Sequence, residues 1–120
     1  MAGRGASMET SKVISKTFKT SLTAAAGRCV RLTDSKAAVI ETWNGHRHHF
    51  QKSDSWDYYI RLNQPLDPLS LASQLSPGDK EKFGRVLASA WTSKTAEGEF
   101  HEHSILMPRY NVILTFLTEP

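Results

Sequence analysis

Residues 76–93 read "SPGDKEKFGRVLASAWTS". Ser76, followed by Pro77 and Asp79, has the form of a helix start: a capping hydroxyl, a ring pre-set for the first turn and a carboxylate three positions on. Phe83, Val86, Leu87, Ala90 and Trp91 then recur at helical spacing as one apolar stripe, with Lys80, Glu81, Arg85 and Ser89 outside it. The spacing predicts a helix. Just upstream, "QPLDPLSLASQL" (64–75) offers Asp67 as a cap and Pro68 at the first helical position, which predicts a shorter helix of about two turns.

The flanking segments read as strands. "AAVIETW" (37–43) runs into Asn44-Gly45 and then "HRHHFQ" (46–51). Asn-Gly between two strand-like runs favours a two-residue type I′ turn, because both central residues need positive φ. That turn pairs Trp43 with His46, Thr42 with Arg47, Glu41 with His48, Ile40 with His49 and Val39 with Phe50. One face then carries Trp43, Glu41, Val39, His46, His48 and Phe50, and the other Thr42, Ile40, Arg47 and His49. "WDYYIRLN" (56–63) reads as a strand with Trp56, Tyr58, Ile60 and Leu62 on one face. "KVISKTFKTSLTAAAGR" (12–28) is ambiguous, since Ile14, Phe18 and Leu22 fit both periods. Its β-branched and Ser/Thr content favours a strand ended by Gly27, with "RCVRL" (28–32) as the next.

Near the C-terminus, "EFHEHSILM" (99–107) and "YNVILTFLTE" (110–119) form a strand pair. The second is apolar on both faces, the pattern of a central strand covered on both sides. The expected fold is therefore α+β: a mainly antiparallel sheet of about six strands with two helices packed on one face, in the order ββββααββ. The second face would be covered by the N-terminal segment or by another subunit. Residues 1–11 read as a disordered basic and polar tail, and 12–120 as a single domain.

The totals narrow the function classes. The lone Cys29 excludes an intrachain disulfide framework and fits a reducing compartment, so the expected location is intracellular, cytoplasmic or nuclear. A mitochondrial presequence is the less favoured reading of residues 1–28, because lysine outnumbers arginine and Glu9 is present. No run approaches the roughly 18 apolar residues of a membrane helix. Charge is divided unevenly. Residues 1–52 hold nine Lys/Arg against three Asp/Glu, while residues 53–120 hold six against nine. A basic N-terminal half suits a polyanionic partner.

The motifs support three readings. In the first, a non-enzymatic, self-associating protein binds nucleic acid, RNA in particular. Lys16, Lys19, Arg28, Arg31, His46, Arg47, His48 and His49 would contact phosphates, and Trp43 or Tyr59 would stack on bases. Binding through histidines, whose reference pKa is about 6.5, should tighten at mildly acidic pH. In the second, the chain is an assembly or adaptor protein that forms a dimer or larger oligomer through edge strands, or binds another protein. In the third, His46, His48, His101 and His103 ligate a metal for an enzyme, which requires their two strands to be neighbours. No cofactor motif is present, and Cys29 in "RCVR" reads as a buried structural thiol rather than a nucleophile.

Overall fold

The computed structural model describes residues 12, 22–60, 62, 64–75, 78, 80–92, 96–107 and 112–119. Among these, one α-helix, α1 (Leu22–Leu32), precedes five strands: β1 (Ala37–Trp43), β2 (His46–Lys52), β3 (Glu81–Leu87), β4 (Glu99–Met107) and β5 (Val112–Thr118). The strands form one antiparallel sheet in the order β2-β1-β5-β4-β3. The fold is thus α+β with an antiparallel sheet, but the described residues hold α1 and five strands rather than two helices and about six strands in the order ββββααββ. The expected tail, residues 1–11, lies outside the described residues.

Two segments exchange roles. Residues 22–32 are helical, not extended. Three consecutive alanines supply high helix propensity, and Ala25, Ala26, Cys29 and Val30 make a buried helical stripe. Gly27 does not end the element. It lies inside the helix where it crosses β2, and a Cβ there would meet the Gln51 side chain. Residues 81–87, expected to be helical, are the edge strand β3. Its seven residues pair one for one with Glu99–Ile105, and this ladder outweighs the local helical spacing. Only the end of the expected stripe coils, as a 3-10 turn at Ala88–Ala90 that leads to the fully buried Trp91.

The other expected helix is a turn. Asp67 Oδ1 accepts from Leu69 N at 2.8 Å within that turn, but Asp67 caps no helix: the single 3-10 turn that follows, at Ala72–Gln74, starts from Leu71 with no side-chain cap. Residues 56–60 are in no strand. They cross the sheet and insert Trp56 and Ile60 into the core, where Tyr58 packs against them.

β5 is central, as its two apolar faces imply. On one face α1 packs Ala26, Cys29 and Val30 against Ala37, Val39, Leu114 and Phe116. On the other, the non-helical stretches around Trp56, Ile60, Ala72, Ala88 and Trp91 cover Ala38, Ile40, Phe100 and Leu117. The sheet is therefore sandwiched between a helix and a layer of loops.

The loop layer is fastened by a buried polar hub. Glu102 on β4 is fully buried. Its Oε1 accepts from Leu71 N at 3.0 Å and Trp91 Nε1 at 2.7 Å. Its Oε2 accepts from Ala72 N and Ser104 Oγ, both at 2.7 Å. Ser104 Oγ lies 2.6 Å from Thr115 Oγ1 on β5. One carboxylate thus joins the central strands to both 3-10 segments.

Candidate nucleic-acid interface

The β1–β2 hairpin has the expected turn, with φ of 52° at Asn44 and 81° at Gly45. Trp43 pairs with His46 and Thr42 with Arg47, as the turn dictates. Beyond them the register shifts. Glu41 opposes His49, Ile40 opposes Phe50, and His48 is the extra residue of a bulge. A bulge places one additional residue on its strand and re-aims the side chains after it. Here it turns Phe50 to the Ile40 side, where Phe50 joins the loop-covered core, and it sends His49 to the Glu41 side. His48 keeps its expected side with Trp43, and the expected faces are corrected at His49 and Phe50.

Most of the candidate residues lie on the α1 side of the sheet, His49 among them because of the bulge. The ring of His48 stacks on Trp43, centroids 4.3 Å apart and planes 24° apart. Trp43 remains 45% exposed, with its Nε1 donating to Glu41 Oε1 at 3.4 Å. His46 and His49 are exposed, and they pair with Trp43 and Glu41 on this same face. Helix α1 lies over β1 and β2 with Arg28 and Arg31 exposed. Trp43, His46, His48, His49, Arg28 and Arg31 thus share one side of the molecule.

Two candidate residues do not belong there. Arg47 is 6% exposed and points into the loop-covered core. Its Nη1 donates to the Trp91 carbonyl at 3.1 Å and its Nη2 to the Ala90 carbonyl at 2.8 Å, with the guanidinium 5.1 Å from the Trp91 ring centre. Burial holds its pKa below the ordinary value, while the charges of Asp67 and Glu102 pull the other way. Arg47 is a structural cation unavailable to phosphates. Tyr59 is exposed on the opposite side, edge-on to Phe50 at 6.3 Å. Lys16 and Lys19 lie outside the described residues.

The four-histidine metal set does not assemble. His46 and His48 are on β2, His101 and His103 on β4, and β1 and β5 lie between. Among the described residues no three His, Cys, Asp or Glu side chains are placed to hold a metal ion. Cys29 is buried against the sheet.

A second cluster emerges that the sequence concealed. His103 Nε2 donates to Glu81 Oε2 at 2.6 Å across the β3–β4 pair, and Lys12 Nζ reaches the same oxygen at 3.4 Å. The His103 hydrogen bond holds the Glu81 carboxyl below its ordinary range, burial opposes this, and Lys12 reinforces it. A carboxyl lowered on folding stabilises the native state above its unfolded value, about 4.3, and that stability is lost as pH falls through the lowered value. Glu81→Gln is therefore expected to flatten the dependence of unfolding free energy on pH below that value. The effect is small, at most about 1 kcal/mol, because the pair is partly solvated. Urea titrations of dilute protein from pH 7 to pH 3 measure it, and parallel curves for the two proteins would refute it. Only the β3–β4 register brings Glu81 and His103 together, so neither residue's local sequence announces the pair.

No protein-family model matches the chain, and no curated protein matches its sequence. Among the described residues no helix is long and apolar enough to cross a membrane.

Proposed function

We propose that this is a non-enzymatic protein that binds single-stranded nucleic acid, RNA in particular, across the α1 side of the β1–β2 hairpin. The observation that carries the reading is the half-exposed Trp43–His48 stack, with His46, His49, Arg28 and Arg31 on the same side. An aromatic face accepts a base of any identity, and cations around it hold the backbone. Trp43 would stack on a base, Arg28 and Arg31 would meet phosphates, and the histidines would add hydrogen bonds to backbone or base edges. Arg47 and Tyr59 have no part in this surface.

Fluorescence anisotropy with a labelled single-stranded RNA tests the reading. Trp43→Ala should weaken binding by about 1–3 kcal/mol, roughly five- to 150-fold, if one base stacks there. Replacing Arg28 and Arg31 together by alanine should lower the slope of log K against log salt by about 0.7 for each phosphate that is no longer neutralised. Binding that is independent of salt and indifferent to Trp43 would overturn the proposal.

The assembly reading gains support from a different place. Phe83 and Leu87, 78% and 51% exposed, stand on the edge strand β3 at the far side of the sheet from the hairpin.

A further inference from the structure

We infer that β3 is the pairing edge for a second copy of this chain, joined antiparallel about a two-fold axis through Phe83 to make a continuous ten-stranded sheet. The inference gives a surface to the self-association in the reading above and does not depend on nucleic-acid binding.

β3 is an outer strand, and its backbone directions can be assigned. Leu106 N donates to the Lys80 carbonyl and Ala88 N to the Gly98 carbonyl. Hydrogen-bonded positions alternate along an antiparallel ladder. Lys80, Lys82, Gly84, Val86 and Ala88 therefore turn their backbone groups toward β4. Glu81, Phe83, Arg85 and Leu87 turn theirs outward, and among the described residues nothing receives them. This is an open template of four alternate residues on a strand without proline.

The side chains select the partner and the register. A two-fold through Phe83 sets the two Phe83 rings opposite each other and places each Glu81 opposite the partner's Arg85. Both ion pairs form at once, because the symmetry makes the interface self-complementary. Glu81 Oε1 has no partner among the described residues, since His103 and Lys12 both use Oε2. Arg85 is 62% exposed and its own contact to Glu99 is long, at 3.8 Å. On the opposite face the same register sets Lys82 against Gly84, with no like charges apposed. Shifting the axis to Arg85 would oppose two arginines. Shifting it to Gly84 would oppose Glu81 to Leu87 and Phe83 to Arg85. Only the axis through Phe83 satisfies charge and apolar contact together, and it brings the exposed phenyl rings out of water.

Sedimentation velocity on the full chain, free of nucleic acid and over a concentration series, tests this. The chain is expected to dimerise. Arg85→Glu should weaken the dimer by about tenfold or more, because it converts two attractive cross-strand pairs into two repulsive ones. Glu81→Arg should do the same, and the double exchange Glu81→Arg with Arg85→Glu should restore association. Amide exchange gives an independent readout: the outward N–H groups of Glu81, Phe83, Arg85 and Leu87 should gain protection at high concentration. The inward amides of Lys82, Gly84 and Val86, protected throughout, report that each variant keeps its fold. A chain that stays monomeric at high concentration overturns the inference. So does a dimer that is insensitive to Arg85→Glu, or one in which the double exchange fails to restore pairing.

Discussion

Replacing Glu102 with alanine is expected to lower the unfolding free energy by about 3–5 kcal/mol, the range for breaking a buried charged network by removing one partner. Four donors lose their acceptor together: Leu71 N, Ala72 N, Trp91 Nε1 and Ser104 Oγ. Only the Ser104 hydroxyl has an alternative, Thr115 Oγ1 at 2.6 Å. Each of the others is left dehydrated at about 1–3 kcal/mol, and the missing side chain adds a void. Against a total stability of about 5–15 kcal/mol for a domain of ordinary size, this is a large fraction. Glu102→Gln should be intermediate. Its amide oxygen can serve Leu71 N and Trp91 Nε1, while its NH2 can donate to the Ser104 hydroxyl but must still confront Ala72 N. Urea unfolding followed by tryptophan fluorescence ranks the three proteins. A Glu102→Ala variant within about 1 kcal/mol of the parent would show that the hub does not fasten the loop layer.

Arg47→Ala is the second large effect, expected to cost about 3–4 kcal/mol. It strips two carbonyls, those of Ala90 and Trp91, of their donors and removes the cation over the Trp91 ring. Arg47→Met separates these contributions, because it keeps apolar volume over the indole while abolishing both hydrogen bonds. Its cost should be about 2–3 kcal/mol. Arg47 and Glu102 converge on Trp91, and the Glu102 charge favours the Arg47 cation across the core. The double variant Arg47→Ala with Glu102→Ala should therefore cost less than the sum of the single changes, with coupling of about 0.5–3 kcal/mol. Strict additivity would mean that the two act on separate parts of the loop layer. RNA affinity per folded molecule should be unaffected by Arg47→Met, whereas an Arg47 on the binding surface would reduce it.

Much of the strand framework was legible in the residues. Asn44-Gly45 announced the hairpin and its turn type, the two apolar faces of Val112–Thr118 announced a central strand, and Trp56 and Tyr58 read as core. The exchange of helix and strand at 22–32 and 81–87 was not legible, for a specific physical reason. β3 is an edge strand that gives the core only Val86 and the space above Gly84, while Phe83 and Leu87 face out. Its alternation is therefore blurred, and a chance helical stripe through Val86, Ala90 and Trp91 is the stronger local pattern. In Leu22–Leu32 the competing signal was the reverse, β-branched neighbours upstream of an alanine run. Within the candidate site the turn gave the facing of Trp43, His46 and His48, but not that of His49 and Phe50. The bulge at His48 goes with the packing of Phe50 into the core beside Ile40, a contact that local sequence does not reveal. Arg47 looked like a surface cation because its acceptors are carbonyls more than 40 positions away.

The placement of β5 beside β1 also sets an order of events during synthesis. Paired residues in these two strands are 69 to 81 positions apart, from Trp43 with Val112 to Ala37 with Thr118. The hairpin and α1 leave the ribosome first, and their apolar surfaces have no β5 to meet. At about 5–20 residues per second, the gap before the closing strand emerges is roughly 4–16 s, far longer than the microseconds a hairpin needs to form. For that interval the inner edge of β1, flanked by Val39 and Ile40, is an open pairing template on the nascent chain. A holding chaperone, or slow translation between residues 43 and 112, acts on that window and leaves the finished fold untouched.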